Sequence, residues 1–547
     1  MIKRTDIFPF SFENNFKKSV TYFSMEFALD QALKTYSGGL GFLAGSHMKS
    51  AFELKQNLIG IGILWKYGYY DQQRNTDNSM KVHFREQMYS FLKDTKIRFQ
   101  IEIASKNVWV NVYYLPAEVF QSAPMFFLTT DVDGNDEWAR SISYHLYDKD
   151  ATMKVAQCML LGIGGVKFLD SQEMIPDVIH LNEAHAISSA FYLLQKGWSI
   201  DSLKSKIVFT THTPEEAGNE KHNFDMLYNL NFFCKLPKDI AAAISGVENN
   251  IFNHTLAALR IAGKANAVSA LHGKVAKEMW KSYPDICDIS YITNAQNRKY
   301  WQDSQIKEAY ENKNWEALNE RKKVLKSQLF KVVADQVGKL FDNEVLTIVW
   351  ARRFAGYKRP DLITRNKERF HKLMTENKVQ IIWAGKPYPF DYGATDIFNQ
   401  LYYLSHLYPN MAVLTGHELG LSKLLKDGSD VWMNTPIVTR EASGTSGMTA
   451  AMNASLNFST FDGWICEFAN NNNSFVVPIA DDSNENLRDE VDFENFLDCL
   501  EKEIIPMYYQ NKAAWSNRIE NSIKDVSSYF DSDRMATEYY EKLYNKI

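Results

Sequence analysis

Four cations fall within eight residues in Arg352-Arg353-Phe354-Ala355-Gly356-Tyr357-Lys358-Arg359, directly after the apolar run Val345–Trp350. At the end of a buried strand such a cluster can clamp phosphate; elsewhere it is only a solvated face. A second segment, Glu441-Ala442-Ser443-Gly444-Thr445-Ser446-Gly447-Met448-Thr449, combines a carboxylate, four hydroxyls and two glycines. It reads as a glycine-rich turn opening a helix from about Met448 to Leu456, where backbone N–H groups of Ser443, Gly444, Thr445 and Ser446 attract anions. Fixed cations beside such a turn suit a reaction that builds negative charge on a leaving oxygen. Four more loops carry polar chemistry next to apolar runs. They are Tyr36-Ser37-Gly38-Gly39-Leu40-Gly41, His180-Leu181-Asn182-Glu183-Ala184-His185, Thr210-Thr211-His212-Thr213-Pro214 and Ile292-Thr293-Asn294-Ala295-Gln296. Gly38 and Gly39 form either a tight turn or an anion loop. His185 is either a core histidine or a ligand contact. His180 and His185 lack a third ligand in their segment, so no metal is expected. His212 reads first as a residue that shapes its loop.

These residues need strands to place them. Val20–Glu26, Leu58–Tyr70, Asp177–Asn182, Lys206–Thr211, Asn266–Leu271 and Ile289–Asn294 read as buried strands, and Lys96–Tyr114 as a hairpin broken at Ala104–Asn107. After a helical stretch, Ser304–Lys339, further strands follow at Val345–Trp350, Val379–Ala384, Met411–Leu414 and Asp430–Met433. Buried strands punctuated by helices predict an α/β fold with parallel sheets. A chain of 547 residues is too long for one core. The expected division is a first domain over 1–340, a second over 341–490, and C-terminal helices over 491–547 that pack back on the first. Ligands in open α/β sheets bind at the carboxyl ends of the strands.

Composition narrows the function. A net charge of -5 argues against a nucleic-acid binder. Five scattered cysteines, with no CxxC pair, fit a reducing cytoplasm rather than a disulfide framework. No run of about 18 apolar residues suggests a transmembrane span.

With these motifs in order, the chain resembles the α-glucan (glycogen, starch or maltodextrin) phosphorylase family. The resemblance implies the GT-B architecture: two Rossmann-like domains facing a cleft. By resemblance, Gly38 and Gly39 approach the substrate phosphate, His185 and Asn294 contact the sugar, and Glu441 hydrogen-bonds its hydroxyls. Arg353 and Lys358 would hold the transferred phosphate, with Arg352 near a second phosphate position. Ala295 departs from the family's glycine. Residue 449 departs more seriously. The family pattern ends in a lysine that carries pyridoxal phosphate (PLP) as an imine, and a threonine cannot form one. No lysine lies between Asp427 and Glu501. A substitute would have to come from elsewhere in the fold, such as Lys358 or Lys386.

Three readings follow from Thr449. The one favoured by the sequence is a PLP-independent retaining hexosyltransferase, with Thr445, Ser446, Arg352 and Lys358 clamping the diphosphate of a nucleotide-sugar donor. The acceptor would be a carbohydrate or another hydroxyl. The second is an α-glucan phosphorylase with non-covalently held PLP. The third is a catalytically inactive glucan-binding or regulatory protein. A homodimer is expected only from the family's habit.

Overall fold

The computed structural model describes residues 2–480 and 484–547. The fold is mixed α/β, with large parallel sheets in two compact units. The first unit comprises Met1–Tyr69, Phe84–Asn297 and Ser532–Ile547; the second comprises Tyr70–His83 and Arg298–Asp531.

Among the described residues the first unit holds a nine-stranded sheet. Its strands run in the order Ile289–Tyr291, Lys264–Ala267, Ile207–Thr210, Val178–Asn182, Val20–Phe23, Leu58–Ile63, Met125–Thr129, Lys106–Leu115 and Lys93–Ile103. The first seven are parallel; the last two form an antiparallel hairpin at the edge. The central strands are buried along their whole length, so they read as continuous apolar runs rather than alternating ones. The hairpin turns at Ala104 and Ser105, both with positive φ, as a two-residue turn of matching twist requires. The helical run Ala151–Ser171 is apolar enough to cross a membrane, but 83% of its apolar window is buried inside this unit.

The second unit holds a parallel sheet of six strands among the described residues. Their order is Met411–Leu414, Val379–Ala384, Leu346–Ala351, Val431–Asn434, Leu456–Ser459 and Ser474–Val476. Alternate residues serve two cores. Ile348, Trp350, Ile381, Trp383 and Met433 pack on one face. Val349, Ala351, Ile382, Ala384 and Trp432 pack on the other.

The structure divides the chain differently from the sequence-based boundaries at 340 and 490. Helix Trp315–Val337 belongs to the second unit because two buried lysines fix it there. Lys326 pairs with Asp430 at 2.7 Å. Lys322 donates to the Asp427 and Asn453 carbonyls at 2.8 and 2.7 Å. The tail also splits. Residues up to Asp531 stay with the second unit, and Ser532–Ile547 joins the first, where the Tyr544 hydroxyl meets His180 Nδ1 at 2.6 Å.

Several strand limits move. The strand expected over Asn266–Leu271 ends at Ala267, because Ser269 caps a helix by accepting from His272 N at 3.1 Å. The helix expected to reach Leu456 covers Ser446–Met452, and Leu456–Ser459 is a buried strand.

Candidate active site

Strands Leu346–Ala351 and Val431–Asn434 are neighbours, with Ile348 opposite Val431 and Val349 opposite Trp432. Their carboxyl ends therefore release adjacent loops. The first carries Arg352 and Lys358, the second Glu441. Arg352 Nη2 lies 2.8 Å and Lys358 Nζ 2.6 Å from Glu441 Oε2. Arg353 is exposed but still acts on Glu441 electrostatically. Burial alone would raise the Glu441 carboxyl; Arg352, Lys358 and Arg353 outweigh it and hold the group at about 2. Two buried cations thus share one carboxylate. Arg352 Nε and Nη1 and the Ser443 hydroxyl are buried with no hydrogen-bond partner. Such orphaned donors are costly unless a ligand meets them.

The two loops are tied together. The Thr435 hydroxyl donates to the Lys358 carbonyl at 2.7 Å, and Ile437 N to the Tyr357 carbonyl at 2.8 Å. Arg359, 1% exposed, donates to the Thr435 and Pro436 carbonyls and pairs with Asp489 and Asp492. Asp462 holds the other end of the site. Its carboxylate accepts Glu441 N at 2.9 Å and Gly463 N at 2.8 Å, and burial pushes it up to about 7.

Thr449 lies in the helix Ser446–Met452, 1% exposed, with its hydroxyl donating to the Ser446 carbonyl at 2.9 Å. The Ser446 hydroxyl in turn accepts from Trp432 Nε1 at 3.3 Å. Neither substitute lysine is available for an imine. Lys358 is held by Glu441, and Lys386 donates to the Tyr70 carbonyl at 2.6 Å and to Glu418 at 2.9 Å.

The remaining motif residues lie in the first unit, at the ends of its parallel strands. His185 follows strand Val178–Asn182 in a short turn; its Nδ1 is buried without a partner, and burial lowers its pKa despite Glu220 and Glu26. A neutral imidazole suits contact with a sugar hydroxyl. Glu183 has φ of 65°, a costly conformation for a non-glycine residue. Its carboxylate holds this geometry by accepting His212 N at 2.8 Å and the Thr213 hydroxyl at 3.2 Å. His212 Nε2 meets Asn182 Oδ1 at 2.7 Å, so it braces one strand-end loop against the next. His180 belongs instead to the core, between Tyr544 and Thr210. Asn294 presents a buried Oδ1 with no partner.

The glycine loop differs from expectation. Glu26 Oε2 accepts Ser37 N at 2.6 Å and Gly38 N at 3.1 Å, while Oε1 takes the Ser37 and Tyr147 hydroxyls at 2.9 and 2.6 Å. The Gly38 amide expected to meet phosphate is therefore spent on a carboxylate of the protein itself.

No protein-family model matches the chain. It is 43% identical over 527 residues to an uncharacterized protein of Methanocaldococcus jannaschii, covering 96% of this chain and 100% of that one. It is 32% identical over 600 residues to a maltodextrin phosphorylase of Thermococcus litoralis, covering 98% of this chain and 72% of that one. The chain belongs to the glycogen/maltodextrin phosphorylase family. A glycogen phosphorylase of Aquifex aeolicus is 30% identical over 625 residues, 98% of this chain and 87% of its own.

Membership of the phosphorylase family overturns the nucleotide-sugar reading. The named relatives are phosphorylases, whose co-substrate is phosphate, and they match nearly the whole chain rather than one domain.

Gly444 shows how tightly the site is drawn. Its φ is +85°, and a Cβ there would stand 3.3 Å from Glu441 Cγ and 3.8 Å from Arg352 Nη2. Gly444→Ala is expected to cost about 1–2 kcal/mol in urea unfolding from the left-handed backbone alone. Phosphate affinity should fall with it. Unchanged stability would mean the loop relaxes to negative φ.

Proposed function

We propose that this protein is an α-glucan phosphorylase, transferring a terminal glucosyl unit between a glucan and phosphate, with PLP held by no bond to residue 449. The observation that carries the reading is the buried cation cluster. Arg352 and Lys358 outnumber Glu441, and two Arg352 donors remain without a partner. Such a site suits two phosphate groups side by side better than a neutral ligand.

We read each unit as a Rossmann-like domain and residue 449 as the position of the family's cofactor lysine. The residues present fit the cofactor's phosphate: Arg352 Nε and Nη1 and the Ser443 hydroxyl are the buried donors that await an acceptor. When bound, the cofactor supplies a phosphate that exchanges a proton with the substrate phosphate. This chain's residues do the rest. Lys358 and Arg353 stabilise charge on the phosphate oxygen as the glycosidic bond forms or breaks. Glu441, kept ionised by its neighbours, accepts hydrogen bonds from sugar hydroxyls. Asp462 anchors the Glu441 backbone. Within the first unit, His185 and Asn294 are the candidates for hydrogen bonding a sugar, because each carries a buried polar atom without a partner. No protein nucleophile is required, because fixed charge and positioning carry the step.

The test is phosphate release from glucose-1-phosphate with a glucan primer, at increasing PLP. Release that depends on added cofactor is expected. No release at any PLP concentration, with glucan still bound, would favour a non-catalytic glucan binder instead.

A further inference from the structure

Within the first unit, Glu26 follows strand Val20–Phe23 and His185 follows strand Val178–Asn182. The two strands are parallel neighbours, with Phe23 opposite Leu181, so their loops leave the sheet side by side. Tyr147 links the two. Its hydroxyl donates to Glu26 Oε1 at 2.6 Å, and its ring centroid lies 6.0 Å from that of His185. His185 is also within electrostatic reach of Glu26. Tyr147 has φ of 61°, a conformation that a bulky side chain keeps only where its surroundings hold it. The bond to Glu26 is one such hold.

Glu26 is 3% exposed, so its carboxylate depends on the protein for its hydrogen bonds. The carboxylate that takes the Tyr147 hydroxyl also accepts the Ser37 and Gly38 amides and the Ser37 hydroxyl. Gly41 makes room for it. A Cβ there would stand 3.0 Å from Glu26 Oε2 and 2.6 Å from Tyr36 Cβ. The Glu26 backbone is tied as well. Ser24 Oγ donates to the Glu26 carbonyl at 2.9 Å and accepts from Asn182 Nδ2 at 3.1 Å, and Asn182 Oδ1 meets His212 Nε2 at 2.7 Å. One residue thus joins the glycine loop, the neighbour of His185 and the loop that His212 braces.

We propose that Glu26 is a positioning residue for sugar binding, whose one carboxylate fixes Tyr147 beside His185 and pins the glycine loop; this rests on the phosphorylase reading, in which His185 contacts the sugar. Glu26 acts through these neighbours and touches no reacting atom. Its four hydrogen bonds all run toward the carboxylate, two to each oxygen. A glutamine offers one accepting oxygen and an amide group that only donates, so it can keep one side of this arrangement and not both.

Binding of maltoheptaose and, separately, of inorganic phosphate is measured by calorimetry on the full chain and two variants, beside the melting temperature of each. In Glu26→Gln the maltoheptaose dissociation constant is expected to rise about tenfold, as for the loss of a hydrogen bond to a charged group, with the phosphate constant unchanged. Tyr147→Phe removes one hydroxyl from a half-buried side chain and keeps the ring. It is expected to weaken maltoheptaose alone and to leave the melting temperature in place, so it decides the matter even if Glu26→Gln fails to fold. Equal weakening of both ligands, in step with a lower melting temperature, overturns the proposal by making Glu26 a structural residue only. Unchanged maltoheptaose affinity in both variants overturns the role of Glu26 and leaves the phosphorylase reading standing. No maltoheptaose binding by the wild type overturns both.

Discussion

Glutamine in place of Glu441 is expected to lower stability by about 3–5 kcal/mol at neutral pH, because it strands two buried cations. The side chains of Arg352, Lys358 and Glu441 are only 7%, 9% and 13% exposed, so water cannot replace the lost carboxylate. The sign follows from the ionisation. Glu441 falls from 4.5 to about 2 in the folded state, so its contribution is fully present above about pH 4.5 and is lost as pH falls through about 2. The variant therefore loses the whole term at pH 7. Phosphate should return part of it. A ligand bound only by the folded state, at a hundred times its dissociation constant, stabilises by about 2.7 kcal/mol. Urea unfolding with and without phosphate checks both parts: the variant should gain more from phosphate than the wild type does. A loss below about 1 kcal/mol would be the signature of a solvated ion pair, and the cluster could not then be the buried phosphate clamp.

The cluster itself was legible because strand and cation are adjacent in sequence. Leu346–Ala351 is apolar but for Thr347, since both its faces are buried, and the basic run begins at the next residue. The glutamate segment was legible by its glycines. What could not be read were partners distant in sequence. Glu26 looked like one letter of an apolar motif, yet it consumes the amides of the glycine loop. Asp462 lies in an ordinary Asp-Gly turn, and only the fold brings it under Glu441. The misplaced helix end after Met448 has a local cause. Leu456–Ser459 is too short to show a strand period, and small, helix-favouring residues lead into it.

Acid should unfold the first unit well before ordinary carboxylate titration would. His47, His180, His254 and His272 are all buried there, and burial takes His47 to about 3, His254 and His272 to about 4, and His180 well below 6.5. A histidine with a lowered folded pKa contributes stability that is present above its unfolded value of 6.5. That stability is lost as pH falls below it, because only the unfolded chain takes the proton. Each such group costs about 1.4 kcal/mol per pH unit, so four cost about 5 kcal/mol per unit. Glu183 opposes them. Pushed up to about 7 by burial, it binds its proton more tightly when folded and returns about 1.4 kcal/mol per unit between its unfolded 4.5 and 7. From these five groups alone the loss is about 4 kcal/mol per unit, and the lowered His212 adds to it, against a total stability of about 5–15 kcal/mol. Unfolding is therefore expected between about pH 6 and pH 4, followed by circular dichroism and located by hydrogen exchange. His47 separates the histidine term from general acid damage. Neither of its ring nitrogens has a hydrogen-bond partner, and the ring lies between Tyr22 and Tyr539 at 5.0 and 5.2 Å. His47→Leu removes one proton-binding site without removing a hydrogen bond, so the slope should fall by about 1.4 kcal/mol per pH unit and the midpoint should move to lower pH. An unchanged midpoint would assign the acid transition to groups other than these buried rings.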